Sequence, residues 1–260
     1  GTPYFEATEP DFIYFCNKLV KKDILTKTAN LYTPTKGINK VCSSLIDKSD
    51  LVKQTKIVSF KKYNSKYSLY DENNTTYENF DFLFITTPAT QVLQMNFDIK
   101  NDLKELLKKV DYTSIASLIL HCKEEFNINQ DVANSDFFKK VVNNSLKYNY
   151  KNFYSYVFHV NENYSTSNNH KSKDELKEEI LNYINYFQGN KLSSNVEVIP
   201  HLWKFAFVNN RIKTKEFYLS EEKKLGLCGD YFKHKNLQGS FISTKQMFSR
   251  FDANKPLFYK

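Results

Sequence analysis

The chain has 260 residues, 41% of them hydrophobic and 25% charged, which is ordinary for a globular protein and enough for one large or two modest domains. Its net charge of +8 does not make it a nucleic-acid binder, because the lysines fall in short pairs (Lys108-Lys109, Lys139-Lys140, Lys223-Lys224) among alternating acids, with no basic stripe or reader motif. No apolar run approaches a membrane span, no signal peptide is evident, and Cys16, Cys42, Cys122 and Cys228 lie too far apart for a zinc pair or a disulfide framework, so a reducing, cytoplasmic setting is the default.

Residues 9–22 carry Phe12, Ile13, Phe15, Cys16, Leu19 and Val20 at helical spacing after Thr8, which predicts an amphipathic helix. Pro34 breaks the chain, and Gly37 starts a second helical stretch with Ile38, Val41, Cys42, Leu45 and Ile46 as its apolar positions. Residues 55–60 and 67–70 read as strands, followed by a polar turn at 71–74 and a further strand near Tyr77. Residues 80–85 are apolar at nearly every position, as a strand buried on both faces of a parallel sheet would be. That run ends at Thr86-Thr87-Pro88-Ala89, where a helix can begin.

Leu103, Leu106, Leu107 and Val110 mark a helix, 114–122 a strand, 153–160 a second strand, and 161–172 a polar loop. Residues 174–187 form an amphipathic helix that starts from a capping box, Ser172 with Glu175, and stops near Gly189. Strand-like segments at 196–200 and 202–207 follow. The order predicts an α/β frame, 35–90 with 206–260, interrupted by an α+β domain made of 1–34 and 91–205. Few residues look catalytic: the five histidines are scattered, with no HExxH, GxSxG or paired-carboxylate spacing, and His121 and His159 read as structural residues within strands.

The stretch 225–247, LGLCGDYFKHKNLQGSFISTKQM, carries the most chemistry. A short buried strand stops at Gly229-Asp230, a basic loop follows, and Gly239-Ser240 leads into a helix. A glycine there allows close backbone approach, the first helical turn offers free N–H groups to an anion or an electron-rich ring, and Asp230 can accept from a sugar or ribityl hydroxyl. A plain surface turn between a strand and a helix fits the same residues.

CGDYF followed by LQGSFISTKQM resembles the carboxy-terminal flavin motif of the renalase-like branch of the flavin amine oxidase superfamily. Four further blocks are similar to that family in the same order: GTPYFEATEPDF, FDFLFITTPATQVL, NNSLKYNYKNFYSYVFHVNENYS and HLWKFAFV, so that the resemblance spans nearly the whole chain. It implies an incomplete FAD-binding, Rossmann-like parallel sheet with an inserted α+β substrate domain. It further implies an oxidoreductase in which hydride passes from a reduced nicotinamide-like or amine substrate to FAD. Gly229, Asp230, Gly239 and Ser240 would then hold the ribityl-pyrophosphate and flavin ring. The helix led by Gly37 would lie over the flavin, although a core helix fits its residues equally well, and the backbone near Ile57 would meet the adenine. The rule that ligands sit at the carboxyl ends of parallel strands puts Thr87 and Pro88 near the dinucleotide. Trp203 and the strand residues Tyr154, Tyr156 and Phe158 would line the substrate cavity. The poverty of catalytic side chains suits a flavin enzyme, since the cofactor carries the redox chemistry.

The chain departs from the family in one respect: with 6 glycines it has no GxGxxG. It reads as lacking the family's first strand, expected beside the LGLCGD strand, which would leave unpaired backbone exposed. The alternative is therefore a truncated, cofactor-free remnant that serves as a binding module, or one half of a split enzyme whose sheet a second chain completes.

Overall fold

The computed structural model describes residues 2–46, 51–95, 100–125, 127–148, 153–189, 195–220, 222 and 224–251. The chain divides into two compact units, Gly1–Asp111 with Val208–Lys260, and Tyr112–Phe207.

The first unit opens with β1 (Phe5–Glu6), α1 (Pro10–Lys21), β2 (Leu25–Thr28) and β3 (Leu31–Pro34), the strands pairing in the order β1-β3-β2. Phe12, Cys16 and Leu19 recur at helical spacing and bury one face of α1 against Ala7, Leu25, Tyr32 and Val41. Glu9 caps α1 without a side-chain bond of its own. Instead the Gln238 side-chain carbonyl accepts from the N–H groups of Thr8 (2.8 Å) and Glu9 (3.1 Å), so the helix start is satisfied from 229 residues away. Next come α2 (Ile38–Ser44) and an antiparallel meander of β4 (Ile57–Tyr63), β5 (Lys66–Asp71) and β6 (Thr76–Phe80). The β5–β6 turn is built on the buried Asp71 carboxylate, which accepts from the N–H groups of Asn73 (2.9 Å) and Thr75 (2.8 Å). Then follow β7 (Leu83–Ile85), α3 (Ala89–Gln94) and α4 (Asn101–Lys108).

The second unit holds β8 (Asp111–Cys122), α5 (Gln130–Ala133), β9 (Phe138–Asn143), α6 (Asn144–Tyr148), β10 (Tyr154–Val160), α7 (Glu162–Ser167), α8 (Lys173–Gln188) and β11 (Glu197–Asn210), with β8 and β11 running across its boundaries. Its sheet has the order β11-β8-β10-β9. Leu176, Ile180 and Ile184 of α8 pack on the face that carries Ala116, Leu118, Leu120, Tyr156, Phe158 and Val160. The predicted capping box is present, Ser172 accepting from the Glu175 N–H and Glu175 accepting from the Ser172 N–H, and Gly189 ends the helix at φ 73°.

The chain returns to the first unit through β12 (Tyr218–Ser220), β13 (Leu225–Leu227) and α9 (Asn236–Phe251). Their sheet has the order β12-β13-β7, with β13 parallel to β7 and antiparallel to β12. Gly226 is bare because a Cβ there would lie 2.6 Å from the Phe84 ring and 2.7 Å from Met247 Sδ; its absence lets α9 close on the sheet. Phe248 and Phe251 of α9 then cover Phe82 and Phe84, with ring centroids 4.3–5.4 Å apart.

Several expectations are corrected. The fold is mixed α/β with antiparallel ladders in the β1–β3, β4–β6 and β8–β10–β9 groups; parallel pairing joins β7 and β13, a short pair, and an extended parallel, Rossmann-like sheet is not seen among the described residues. The apolar run 80–85 is no single strand: Phe80 ends β6, Asp81 is exposed, and Leu83 and Phe84 are only half-buried, because β7 has a strand on one side only among the described residues. Among the described residues both neighbours of β13 are taken, by β12 and β7, so the unpaired edges of this sheet are those of β12 and β7 and not of the LGLCGD strand. The polar stretch 161–172 contains α7, started by the Asn161 side chain, which accepts from the Tyr164 N–H, and anchored by the buried Ser165 hydroxyl, which accepts from the Ala116 N–H (3.0 Å). Residues 1–34 and 91–111 belong by contact to the first unit, where the sequence had assigned them to the inserted domain. Residues 252–260, placed with the cofactor-type domain from the sequence, lie outside the described residues.

Candidate functional site

Parallel pairing brings two chain ends together. Leu227 lies opposite Ile85, and the Cys228 N–H donates to the Ile85 carbonyl (3.3 Å), so the chain leaves β13 through Cys228-Gly229-Asp230 at the same edge where it leaves β7 through Thr86-Thr87-Pro88. Carboxyl ends of adjacent parallel strands form the crevice in which open α/β sheets bind ligands. The hydroxyl oxygens of Thr87 and Thr90 are both buried there without a hydrogen-bond partner, an arrangement that costs free energy unless a ligand or solvent group completes it. Burial also pushes the Asp230 carboxyl above the ordinary aspartate range, partly offset by a hydrogen bond from its own backbone. Thr90 carried no signal in the sequence reading beyond its place three residues after Thr87.

The loop after Asp230 is fastened on several sides. Ile212 N–H donates to the Tyr231 carbonyl (2.8 Å) and Lys233 N–H to the Lys215 carbonyl (3.0 Å). The Glu216 carboxylate pairs with Lys233 (2.6 Å) and faces His234 Nε2 at 3.2 Å. Both glycines of the motif are demanded by the protein itself. Gly229 has φ 158°, and a Cβ on it would lie 2.7 Å from the Tyr231 ring; a Cβ on Gly239 would run into the His234 carbonyl. Gly239 and Ser240 fall inside the first turns of α9, which starts at Asn236, earlier than the sequence suggests, and the Gly239 N–H is already donated to the Lys235 carbonyl (3.1 Å).

The remaining expected residues sit on other elements. Gly37 precedes α2 with φ 90° and ψ 154°, a conformation open to glycine alone. Ile57 begins β4, half-buried and opposite Asp71. In the second unit, Trp203 is 40% exposed on β11, its ring 4.0 Å from that of His201. Tyr156 and Phe158 are core residues, and Tyr154 packs against the same core, so this face of β10 is filled by α8 and is no cavity wall.

The opposite face of that sheet carries His159 and His121, which the sequence marks as structural histidines. There Lys140, His159 and Ser117 stand in a cross-strand row, with Ser117 Oγ 2.8 Å from His159 Nδ1. Four residues farther along β8, His121 Nδ1 meets the Glu197 carboxylate at 3.2 Å. Burial, reinforced by Lys140 and Lys139, lowers His159 to about 4, so this imidazole is neutral near pH 7. Among the described residues no group of three or more metal-ligating side chains comes together, and no helix is long and apolar enough to cross a membrane.

No family model matches the chain, and no curated protein sequence does. Solved structures are similar in fold. A candidate protoporphyrinogen oxidase from Exiguobacterium sp. 255-15 superimposes with a TM-score of 0.61 at 12% identity, over 88% of this chain and 54% of its own. Putrescine oxidase bound to putrescine gives 0.59 at 12% identity over 86% and 55%. A CLA-producing fatty acid isomerase from P. acnes gives 0.56 at 12% identity over 93% and 56%. The chain spans about half the length of these structures. At such identity the likeness is one of fold, and it is to the fold of oxidases, an amine oxidase among them, that the sequence resemblance had pointed.

Proposed function

We propose that this chain supplies the flavin-side turn and the substrate-side sheet of an FAD-dependent oxidoreductase of the renalase/amine oxidase type. The observation that carries the reading is the place of Thr87, Thr90 and Asp230 beyond the carboxyl ends of β7 and β13, all three half-buried, with the hydroxyl oxygens of the two threonines buried and without a partner. A ligand rich in hydroxyl and phosphate oxygens fits such a set. Thr87 and Thr90 would donate to phosphate or ribityl oxygens, and Asp230 would exchange a hydrogen bond with a ribityl hydroxyl. Gly229, Pro88, Gly239 and Ser240 would shape the backbone around it, and Gly37 and Ile57 would meet more distant parts of the cofactor. When bound, FAD supplies the acceptor for two electrons and a proton arriving as hydride from an amine or a reduced nicotinamide-like substrate. Trp203 remains the proposed aromatic wall on the substrate side. The glycine-rich pyrophosphate turn finds no counterpart among the 6 glycines.

The second reading is a cofactor-free binding module or half of a split enzyme, in a cytoplasmic setting that suits four free thiols. It is favoured by β7, which presents one edge without a strand among the described residues, where a strand of a second chain would complete the sheet. A titration of the folded chain with FAD, followed in the visible flavin band, separates the two. Saturable binding that Asp230→Ala weakens supports the oxidoreductase; a folded chain that takes up no flavin supports the second reading.

A further inference from the structure

We propose that Ser243 is the positioning residue that holds the Gly229-Asp230 turn in its ligand-ready shape. Ser243 lies in α9 and is 2% exposed, yet neither of its backbone partners is helical. Its hydroxyl donates to the Glu216 carbonyl (2.7 Å) and accepts from the Gly229 N–H (3.1 Å). One hydroxyl thus satisfies two backbone groups from separate loops, which a hydroxyl can do because it has both a proton and lone pairs to offer. Its neighbour Thr244 adds a contact to Cys228 Sγ at 3.4 Å. Two consecutive residues of one helix therefore grip the two residues that precede Asp230.

This arrangement alters the division of labour in the site. The Gly229 N–H is committed to Ser243 and is no donor to a ligand, so the group the turn offers is the Asp230 carboxyl. The position of that carboxyl is inherited from the clamp. Gly229 cannot be stiffened by a side chain, because the Tyr231 ring occupies the space, and the fixing bond must come from elsewhere. The same serine ties the turn to Glu216, whose carboxylate holds Lys233 and faces His234 farther along the loop. Removing the hydroxyl would leave a part-buried acceptor and a part-buried donor unpaired at once.

The inference rests on the flavin reading for its functional meaning, but its test does not depend on that reading. Ser243→Ala and Ser243→Cys, the latter keeping the volume, are compared with the unaltered chain after thermal melting shows that they are folded. Amide exchange at Gly229 and the titration of the Asp230 carboxyl by carbon-13 NMR are measured without cofactor, and the FAD affinity is measured alongside. The expected result is Gly229 exchange about tenfold faster or more, an Asp230 carboxyl that titrates closer to the ordinary range, and an FAD Kd raised about tenfold, with exchange late in α9 unchanged. Gly229 exchange as slow in the variants as in the parent would overturn the proposal, as would an Asp230 titration untouched by the loss of protection. A parent chain that takes up no FAD sinks the flavin reading, and the exchange and titration results then decide on Ser243 by themselves.

Discussion

A methyl group added at residue 239 would collide with the His234 carbonyl, which is backbone and cannot swing aside. Gly239→Ala is therefore expected to destabilise the fold by roughly 1–3 kcal/mol, read as a lower urea midpoint. Gly189 is a control of a different kind. Nothing lies within 4 Å of its missing Cβ, but its φ of 73° strains any other residue, so Gly189→Ala should cost only about 1 kcal/mol. The four thiols divide in the same residue-by-residue way. Burial pushes Cys16 up to about 12 and raises Cys122 and Cys228, whereas Cys42 is exposed. Brief maleimide treatment of the native chain, followed by mass spectrometry, should mark Cys42 and spare the other three; modification of Cys228 would show that the turn opens far more readily than its packing implies.

Among the elements, α8 and α1 solve the same problem by different means. α8 carries its own start signal, and Ser172→Ala should cost about 1 kcal/mol in thermal unfolding, because one amide of the first turn loses its acceptor. α1 has no such signal and borrows the Gln238 carbonyl from α9, while Lys245 of α9 reaches Asp11 at 2.5 Å and Phe241 packs on Phe12 and Phe15. The start of α1 is thus bound to the helix that also carries Ser243. β10 shows how period-2 alternation divides roles, with Tyr156, Phe158 and Val160 turned to the core and Ser155, Val157 and His159 to the other face. An aromatic strand invited a cavity reading, but α8 takes up its aromatic side.

For the molecule as a whole, acid stability follows from where its histidines are kept. His159 has a folded value of about 4 against 6.5 unfolded, so as the pH falls through 6.5 the unfolded chain takes a proton that the folded chain refuses. The stability present above 6.5 is lost progressively down to about 4, by at most roughly 3 kcal/mol, with the half-exposed His201, also lowered, adding a smaller effect in the same direction and Asp230, raised by burial, opposing it. The exposed carboxylates Asp81, Glu105, Glu175 and Glu179 are lowered, by hydrogen bonds from Lys66, Lys108, Ser172 and Lys171 respectively, and take effect below this window. Urea midpoints measured from neutral pH to about pH 4.5 should fall in the parent and fall less in His159→Gln; equal slopes would mean that other groups set the acid limit.

Local physics made much of this chain legible from its residues alone. The stripe Phe12, Cys16, Leu19, the capping box at Ser172 with its Gly189 stop, the short strand ending at Gly229-Asp230 and the strands at 114–122 and 153–160 all depend on neighbours a few positions away. The coarse likeness to oxidase folds rested on the same ordered blocks. What only the tertiary structure decided are the partnerships between distant residues. Hydrophobic pattern marks β7 and β13 as strands, but it overstates the burial of β7 and does not tell that β12 takes the other edge of β13. It marks Gly239 as special without revealing that the His234 carbonyl, and no ligand, fills the space. It cannot show that Ser243, an ordinary helix serine, closes on Gly229 and Glu216, because a hydrogen bond across 14 and 27 residues leaves no periodic trace in the chain.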